Sequence, residues 1–374
     1  MKKILHLTHT DIRSDSRIIK EMDAAYKAGY DIVGIGIHLD EGGRNVGLDQ
    51  YNIITLNVFS KRLTFLPKVL RHGFTFFEFC LKSFFFALKN RPDIIHCNDT
   101  LVLPVGLLVK LFSGAKLVYD AHELESDKNG LSRFLGKATL SVERLIWPYI
   151  DALIVVSPSI DNWYKNKLGK KNSAIVLNSP VYNADFESDK KYLRRKFAIP
   201  DDKKIFLYVG ILGPGRGIDA ILEVFKVNSK SHLVFLGYGE YADKIKHIST
   251  KYGNIHVHDS VSHEKVVEIS SSADIGLCLI ENVSLSDYYC LPNKLFEYAF
   301  SGVPILASNF PDISSVVVDY GLGICVDLSV ESIDEGVKRF EEQVFCFNQD
   351  KCDLSGLAWA AQAEKLIKLY SQLN

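Results

Sequence analysis

Short apolar runs alternate with longer stretches of helical spacing along the whole chain. The first half contains KILHLTH, DIVGIGI, IITLNV, DIIHCND, KLVYDAH, ALIVVS and AIVLNS, and the part after residue 203 contains KIFLYVG, HLVFLG, IHVHDS, IGLCLI, PILAS and GICVDL. Strands that alternate with helices are typical of βαβ units, whose parallel sheets are covered on both faces. The pattern therefore predicts an α/β fold of two Rossmann-like doubly wound domains that face a central cleft.

A polar stretch separates the two series of strands. Residues 183–204 are rich in charge and contain Pro200, as expected of a helix and hinge between two domains. Residues 1–182 are then an N-terminal domain, and residues 183–355 a C-terminal domain. Residues 356–374 have apolar positions at helical spacing, which predicts a final helix that packs on a domain surface.

The composition excludes some partners and compartments. A formal net charge of -1 provides no basic field, so we expect no nucleic-acid partner. The seven cysteines are odd in number and form no C-x-x-C pair, as in a cytoplasmic protein with reduced thiols. The apolar start of the chain is interrupted by His6, Thr8 and Asp11, so we expect neither an export signal nor a membrane-spanning helix.

A glycine-rich loop follows the first strand of the second half and leads into a helix. It contains Gly210, Gly213, Gly215, Arg216 and Gly217. Glycines let the backbone approach a ligand, a helix N-terminus favours anions, and an arginine can bind a diphosphate through two hydrogen bonds. The loop lacks the Lys-Ser/Thr pair of a Walker loop and is not a dinucleotide fingerprint. It indicates a diphosphate site, and the alternative is a flexible turn.

A second motif, PNKLFEYAF, starts a helix at Pro292. Lys294 lies in the first turn, where a cation opposes the helix dipole, and a bound anion would explain it. Glu297 lies one turn further and can accept hydrogen bonds from sugar hydroxyls. The alternative is that both residues are solvated polar groups on a helix surface.

Together these motifs resemble the donor half of the family-4 retaining glycosyltransferases, which have the GT-B fold and belong to the glycosyl transferases group 1. The resemblance extends over nearly the whole chain and is carried by YVGILGPGRG, FLGYGE, DSVSHEKV and PNKLFEYAFSGVPILAS. It implies that Arg216 holds the donor diphosphate and that Glu297 binds the ribose. The donor-binding residues that it implies are Gly210, Gly213, Arg216, Gly217, Gly237, Gly239, Glu240, Ser260, Val261, Tyr289, Asn293, Lys294, Leu295 and Glu297.

The sequence departs from the family pattern at two positions. Ile211 stands where the family commonly has an arginine, and Lys294 can substitute for that missing cation. Tyr289 stands where the paired-glutamate motif has its first carboxylate, eight positions before Glu297. This second departure leaves the contacts to the transferred sugar open.

Polar residues at strand ends of the first half are candidates for the reacting end of the site. His122 ends a strand in a turn that resembles the family's HEL turn, and it can bind a sugar hydroxyl while Glu125 orients it or contacts the acceptor. The alternative is a polar residue that only caps a loop. Further candidates for the acceptor or the cleft are Asp11, Arg13, Arg17, His96, Asn98 and Asp99.

Residues 61–91 interleave phenylalanines with basic residues, against the single acid Glu78. This composition suits the surface of an anionic membrane, although Pro67 and Gly73 are expected to break the segment into pieces. The alternative is that Phe76 to Phe86 form a buried crossover helix. The two interpretations are compatible if Phe65, Lys68 and Arg71 face lipid.

The sequence thus predicts a retaining glycosyltransferase that uses a nucleotide-diphosphate sugar. No Asp-x-Asp motif ends a strand, so we expect no metal and no cofactor. The expected acceptor is a glycan or a lipid-linked surface polysaccharide or O-antigen intermediate, handled in the cytoplasm or at the inner face of the membrane. Two alternatives remain: a nucleotide-sugar 2-epimerase on the same fold, and a non-catalytic subunit that binds a nucleotide-sugar.

Overall fold

The computed structural model describes residues 1–38, 50–181, 189–343, 345 and 353–373, without the side chains of residues 263 and 264. The chain forms two compact units, Met1–Val176 with Gln362–Asn374, and Leu177–Ala361. The predicted boundary between residues 182 and 183 lies outside the described residues, as does part of the predicted hinge. Each unit is a parallel sheet flanked by helices, which confirms the predicted α/β class.

The first unit is built on a seven-stranded parallel sheet in the order β3-β2-β1-β4-β5-β6-β7. Its strands are β1 (Lys3–Leu7), β2 (Asp31–Ile37), β3 (Asn52–Leu56), β4 (Ile94–Asn98), β5 (Lys116–Ala121), β6 (Ala152–Val155) and β7 (Asn172–Ile175). The helices that connect them are α1 (Ser16–Lys27), α2 (Lys68–Asn90), α3 (Leu103–Ser113), α4 (Arg133–Ile146) and α5 (Pro158–Leu168).

The second unit is built on a six-stranded parallel sheet in the order β10-β9-β8-β11-β12-β13. Its strands are β8 (Ile205–Ile211), β9 (His232–Tyr238), β10 (Ile255–His258), β11 (Ile275–Cys278), β12 (Ile305–Ser308) and β13 (Gly323–Val326). Its helices are α6 (Tyr192–Phe197), α7 (Ile218–Val227), α8 (Ala242–Ser249), α9 (His263–Ser270), α10 (Leu285–Tyr288), α11 (Asn293–Ser301), α12 (Pro311–Asp319) and α13 (Val330–Glu341).

All thirteen predicted strands are present, but β7 is displaced toward the N-terminus. It covers Asn172–Ile175, whereas the apolar run AIVLNS begins at Ala174. Asn172 and Ser173 pair with Ala152 and Leu153 of β6. Because β7 is the last strand of its sheet, these polar residues need no burial, and the apolar pattern alone could not place the strand.

Two helix boundaries differ from expectation. Helix α2 is continuous from Lys68 to Asn90 through Gly73, because one interior glycine costs about 1 kcal/mol and does not stop a helix of 23 residues. Pro67 precedes this helix as its N-cap residue. Likewise Pro292 is the N-cap of α11, which begins at Asn293.

The last helix, α14 (Trp359–Ser371), returns the chain to the first unit. Leu366 and Tyr370 are fully buried, and the Tyr370 hydroxyl lies 2.6 Å from Nδ1 of His96 in β4. The first unit is therefore assembled from both ends of the chain.

Helix α11 is fixed against the second sheet by Tyr298. The Tyr298 hydroxyl donates to the carbonyl of Leu207 at 2.9 Å and accepts from the backbone N–H of Val209 at 2.8 Å. Its ring covers Gly276 of β11, where an added Cβ would lie 2.4 Å from the ring carbon Cγ. Only glycine leaves room for the ring, so this contact determines how closely α11 approaches β8 and β11.

We therefore expect Gly276→Ala to lower the melting temperature (Tm) by about 2 to 8 °C, because overpacking a buried contact costs about 1 to 3 kcal/mol. Differential scanning calorimetry measures this change. Gly253→Ala is the matched control, since no atom lies within 4 Å of a Cβ at that position. An equal Tm for the two variants would contradict the proposed close contact.

Candidate active site

In both sheets the strand order reverses direction at one point, between β1 and β4 in the first unit and between β8 and β11 in the second. Ligands of open α/β sheets bind beyond the carboxyl ends of the strands at such points. The glycine loop follows β8, while Asp11 follows β1 and Asp99 follows β4. The sequence candidates are thus at the two positions that this topology favours.

The glycine loop brings the ends of β8 and β9 into close contact. Gly210 has φ +120° and Gly217, the N-cap of α7, has φ +68°, a region that favours glycine. A Cβ on Gly237 would lie 1.8 Å from the carbonyl oxygen of Gly210, and one on Gly239 would lie 2.4 Å from that of Leu212. Gly237 and Gly239 therefore allow the backbones of the two strand ends to approach one another closely.

Two carboxylates hold the loop and its arginine. The backbone N–H of Gly217 donates to Glu281 at 3.1 Å, and the N–H of Glu281 donates to the carbonyl of Gly215 at 3.0 Å. Partly exposed Arg216 lies 3.5 Å from the buried carboxylate of Asp287. That carboxylate also accepts from the Ser284 hydroxyl, so the acid that faces Arg216 is itself fixed.

Lys294 is a buried cation without a counter-ion among the described residues. It is 9% exposed, and its Nζ has no hydrogen-bond partner there. Nζ of Lys294 lies 3.7 Å from the ring centroid of Tyr208. A Cβ added to Gly210 would lie 3.9 Å from the same Nζ atom. A buried charge is costly unless it is paired, so this position at the glycine loop is suited to an anion.

The hypothesis that Lys294 and Glu297 are solvated helix residues is wrong, since Glu297 is also buried, at 4% exposure. Burial raises the pKa of the Cys290 thiol, and Asp287 raises it further, while Arg216 and Lys294 lower it. Arg216 and Lys294 therefore both lie close enough to Cys290 for their charges to affect its thiol.

The remaining donor candidates differ in accessibility. Gly239, Glu240 and Ser260 are exposed, and Val261, Tyr289 and Asn293 are partly buried. Gly213 is buried, and Leu295 is fully buried within α11, so its side chain belongs to the core. Ile211, at the end of β8, is 52% exposed. Their roles toward a ligand stay predictions.

In the first unit His122 lies between two carboxylates. Its Nε2 is 3.3 Å from Asp120 and its Nδ1 is 3.8 Å from Asp99, which also lies 3.6 Å from His9. Burial opposes a charge on His122, but Asp120 and then Asp99 outweigh it and raise its pKa to about 10. Asp99 has φ +74°, a strained conformation of the kind that clusters at functional sites.

Glu125 lies close to this group and is buried. It accepts a hydrogen bond from Lys128 at 3.0 Å. Burial and then Asp99 raise its pKa to about 8, although Lys128 lowers it. A carboxyl group that is protonated at neutral pH can donate a hydrogen bond, which suits a contact to a hydroxyl.

Three candidates do not face solvent as expected. Arg17 is buried and pairs with Asp120 at 3.1 Å, while His96 and Asn98 are fully buried within β4. They lie beneath the strand ends and do not line an open surface. Arg13 contacts the carboxylate of Asp11, which the sequence did not predict.

One buried group has metal-ligand character. Ligand atoms of His6, Glu21 and His96 lie within 4.8 Å of one another. However, the Arg17 guanidinium is 3.0 Å from Glu21 and already supplies a cation to this carboxylate. Neither ring nitrogen of His6 has a hydrogen-bond partner among the described residues. We assign these residues to the buried network around Asp120.

Comparison with known proteins identifies the chain. The model of the glycosyl transferases group 1 matches residues 189–348, and that of glycosyltransferase family 4 matches residues 28–181. The chain belongs to the group 1 glycosyltransferases. It is 25% identical to the chitobiosyldiphosphodolichol beta-mannosyltransferase of Kluyveromyces lactis, over 84% of this chain and 77% of that protein. It is 24% identical to the O-antigen biosynthesis glycosyltransferase WclY of Escherichia coli, over 59% of this chain and 62% of that protein.

Solved structures show the same GT-B fold. Sucrose-phosphate synthase from Thermosynechococcus elongatus superimposes with a TM-score of 0.80 at 17% identity, over 100% of this chain and 99% of that one. HepE of Anabaena in complex with UDP-glucose superimposes with a TM-score of 0.71 at 13% identity, over 100% of this chain and 98% of that one. Among the described residues, none of the helices of this glycosyltransferase has the length and apolar character needed to cross a membrane.

Sequence reasoning missed three residues that organise the site of the glycosyltransferase. Asp120 contacts His122 and Arg17, Asp287 faces Arg216, and Tyr298 fixes α11. Asp120 lies in β5, and His122 follows two positions later, just beyond the strand end at Ala121. Residues two apart in extended backbone face the same side of a sheet. That spacing was the available signal, whereas Asp287 and Tyr298 gave none.

We expect Lys294→Met to raise the Tm of the ligand-free enzyme by about 2 to 4 °C, since it removes about 1 kcal/mol of unpaired buried charge. A thermal melt measures the change. Lys251→Met, which alters an exposed lysine, is the control and should leave the Tm unchanged. A lower Tm for Lys294→Met would show that its contact with Tyr208 outweighs the cost of burial.

Proposed function

We propose that this glycosyltransferase binds a nucleoside diphosphate sugar at the glycine loop and transfers the sugar to a glycan acceptor. The observation that carries the proposal is the buried, unpaired Lys294 beside Gly210, with Arg216 at the same loop. A diphosphate would supply the counter-ion that Lys294 lacks, and Arg216, 3.5 Å from Asp287, lies on the same loop. The glycines of this loop let the diphosphate oxygens approach the backbone.

The same cations would act on the leaving group. When the bond between the sugar and the diphosphate breaks, negative charge grows on the diphosphate, and fixed cations and backbone N–H groups stabilise it. The helices α7 and α11 begin beside this loop, and their N-termini favour an anion. We propose that these groups serve in place of a divalent metal.

The donor base and the stereochemistry are further parts of the proposal. Glu297, buried one helical turn from Asn293, is the group that would accept hydrogen bonds from the ribose. HepE, which shares the fold, has a structure with UDP-glucose, so UDP is the nucleotide to test first. Retention of the anomeric configuration is the expectation that family membership supports.

The acceptor side belongs to the first unit. His122 and protonated Glu125 lie at the carboxyl end of the sheet, where both can donate a hydrogen bond to a sugar hydroxyl. The names of two relatives refer to a dolichol-linked diphosphate and to O-antigen biosynthesis. We propose a lipid-linked polysaccharide or O-antigen intermediate as the acceptor.

We expect wild-type protein to bind UDP and Arg216→Ala to bind it at least about tenfold more weakly, which is the loss of one charge-assisted contact. Isothermal titration calorimetry with and without EDTA measures both, and EDTA should have no effect. Arg144→Ala, an exposed arginine of the first unit, is the control.

Equal affinities for Arg216→Ala and wild type would contradict the proposed diphosphate site. Loss of UDP binding in EDTA would contradict the metal-free mechanism. UDP binding with UDP-sugars left intact after long incubation with acceptor would favour the non-catalytic subunit.

A surface of the first unit also suits a lipid bilayer. Helix α2 buries only Phe79, Ser83 and Ala87. Its opposite face presents an exposed stripe at helical spacing, consisting of Leu70, Phe74, Phe77, Leu81 and Phe85. The hypothesis that Phe76 to Phe86 are buried is therefore wrong for most of these phenylalanines.

Neighbouring residues extend this stripe. Phe65 is 79% exposed and Phe112 of α3 is 71% exposed, and Phe112 packs edge-on against Phe84 at 5.6 Å. We define the stripe of α2 with Phe65 and Phe112 as the aromatic surface. Such a patch on a soluble face marks an interaction site.

The charge around the aromatic surface supports an anionic bilayer as the proposed partner. Exposed basic residues flank it, namely Arg62, Lys68, Lys89 and Arg91. The single acid, Glu78, is 2.7 Å from Lys82, and it accepts from the backbone of Phe59 and Ser60. Burial opposes this charge, but these bonds lower the pKa of Glu78 to about 2. The surface therefore combines apolar side chains with net positive charge, as peripheral membrane contacts do.

We expect the double variant Phe65→Ser/Phe77→Ser to lose at least about tenfold in affinity for vesicles of phosphatidylglycerol and phosphatidylcholine, because two exposed aromatic rings no longer enter the bilayer. Vesicle co-sedimentation measures binding. Val318→Ser, at an exposed apolar residue of the second unit, is the control. Equal binding of all three proteins would contradict the proposal.

A further inference from the structure

The Asp120 carboxylate is the centre of a buried hydrogen-bonded group in the first unit. It is fully buried at the end of β5, and its Oδ2 lies 3.4 Å from Nε2 of His96 and 3.3 Å from Nε2 of His122. Arg17 donates to both of its oxygens, at 3.1 and 3.2 Å. The Arg17 charge and these contacts hold the pKa of Asp120 well below its ordinary value against the effect of burial.

The protons in this group can be placed by elimination. A carboxylate only accepts hydrogen bonds, so Nε2 of His96 must carry the proton that faces Asp120. Burial lowers the pKa of His96, so its other nitrogen, Nδ1, is an acceptor. The Tyr370 hydroxyl, 2.6 Å from Nδ1, is then the donor.

A continuous line of contacts thus leads from the last helix to the candidate active site. Tyr370 donates to Nδ1 of His96, His96 donates to Asp120, and Asp120 faces Nε2 of His122. The other ring nitrogen of His122 lies toward Asp99, at the carboxyl end of β4. The contact between His122 and Asp120 is an ion pair at 3.3 Å rather than an aligned hydrogen bond, and this ring orientation places a carboxylate near each nitrogen.

We propose that Tyr370, His96 and Asp120 form a positioning line that fixes the charge and ring orientation of His122. Tyr370 and Asp120 are positioning residues, because they act through His122. Any effect on sugar transfer rests on the role proposed above for His122. The charge and the ring orientation of His122 do not depend on that role.

Other charges also act on His122 and have to be considered. The groups around it are Glu21, Asp99, Asp120, Arg17, His6, His9 and His96. Burial lowers the pKa of His6 and of His9, so neither supplies a competing cation at neutral pH. Burial and Asp120 raise the pKa of Glu21. Asp120 and Asp99 are therefore the anions that keep His122 charged.

The sign of the pH dependence follows from these contacts. The pKa of His122 in the folded protein, about 10, lies above the value of 6.5 for an unperturbed histidine. Its charged form therefore stabilises the fold fully below pH 6.5, and this contribution is lost as the pH rises toward 10. Removal of the Asp120 charge should move the titration of His122 back toward 6.5.

The test is histidine NMR on the full-length protein with ¹⁵N-labelled rings. We expect Asp120→Asn to lower the pKa of His122 by at least one unit, a tenfold loss of proton affinity. We expect Tyr370→Phe to raise the pKa of His96, because the neutral ring then loses the donor to Nδ1, and we expect the added positive charge beside Asp120 to lower the pKa of His122. Tyr370→Phe keeps the aromatic ring, so its histidine pKa values can still be measured if Asp120→Asn does not fold.

Tyr30→Phe is the matched control. The Tyr30 ring packs against Tyr370 at 6.0 Å, and the change removes a hydroxyl from the same aromatic group without touching His96. It should leave His96 and His122 unchanged. An unchanged His96 pKa together with an unchanged His122 pKa in Tyr370→Phe, or a wild-type His122 that titrates near 6.5, would overturn the proposal. UDP binding, measured in parallel, reports on the second unit, so failure of the donor site is seen separately.

Discussion

Parallel strands that are buried on both faces leave their carboxyl ends as the place where polar side chains can gather. Both sheets here obey this constraint, with cores of aliphatic and aromatic residues and functional groups at the strand ends where the order reverses. The glycine loop, the strained Asp99 and His122 all follow from it. In each unit the candidate site residues lie at the carboxyl edge of the sheet, outside the hydrophobic core.

The two units manage buried charge in opposite ways. In the first, Arg17, Asp120 and His122 neutralise one another within the protein. In the second, Lys294 has no such partner among the described residues, and only the ring of Tyr208 moderates its charge. A group of paired charges favours one fixed geometry, whereas an unpaired cation favours binding. This contrast fits a division between orienting groups and donor binding.

The sequence predicts what depends on neighbours in the chain and misses what depends on packing. Strand positions and the glycine loop follow from local patterns, because period and glycine content act over a few residues. Asp287 and Tyr298 meet their partners only after α10 and α11 pack on the sheet. The stripe from Leu70 to Phe85 shows the same limit of sequence analysis. An apolar helix face has the same sequence pattern whether it packs on a core or is exposed to solvent. Arg17 could be singled out from the sequence as a polar candidate, but its burial could not be predicted.

The return of the last helix to the first unit has a consequence for biosynthesis. A ribosome completes residues 177–361, a continuous unit, before it adds the segment that supplies Tyr370. The second unit can therefore finish folding while His96 still lacks its contact with Tyr370. The first unit reaches its final arrangement only when translation of the helix is complete, so a chain shortened by a few residues would carry an intact second unit and an incompletely assembled first unit.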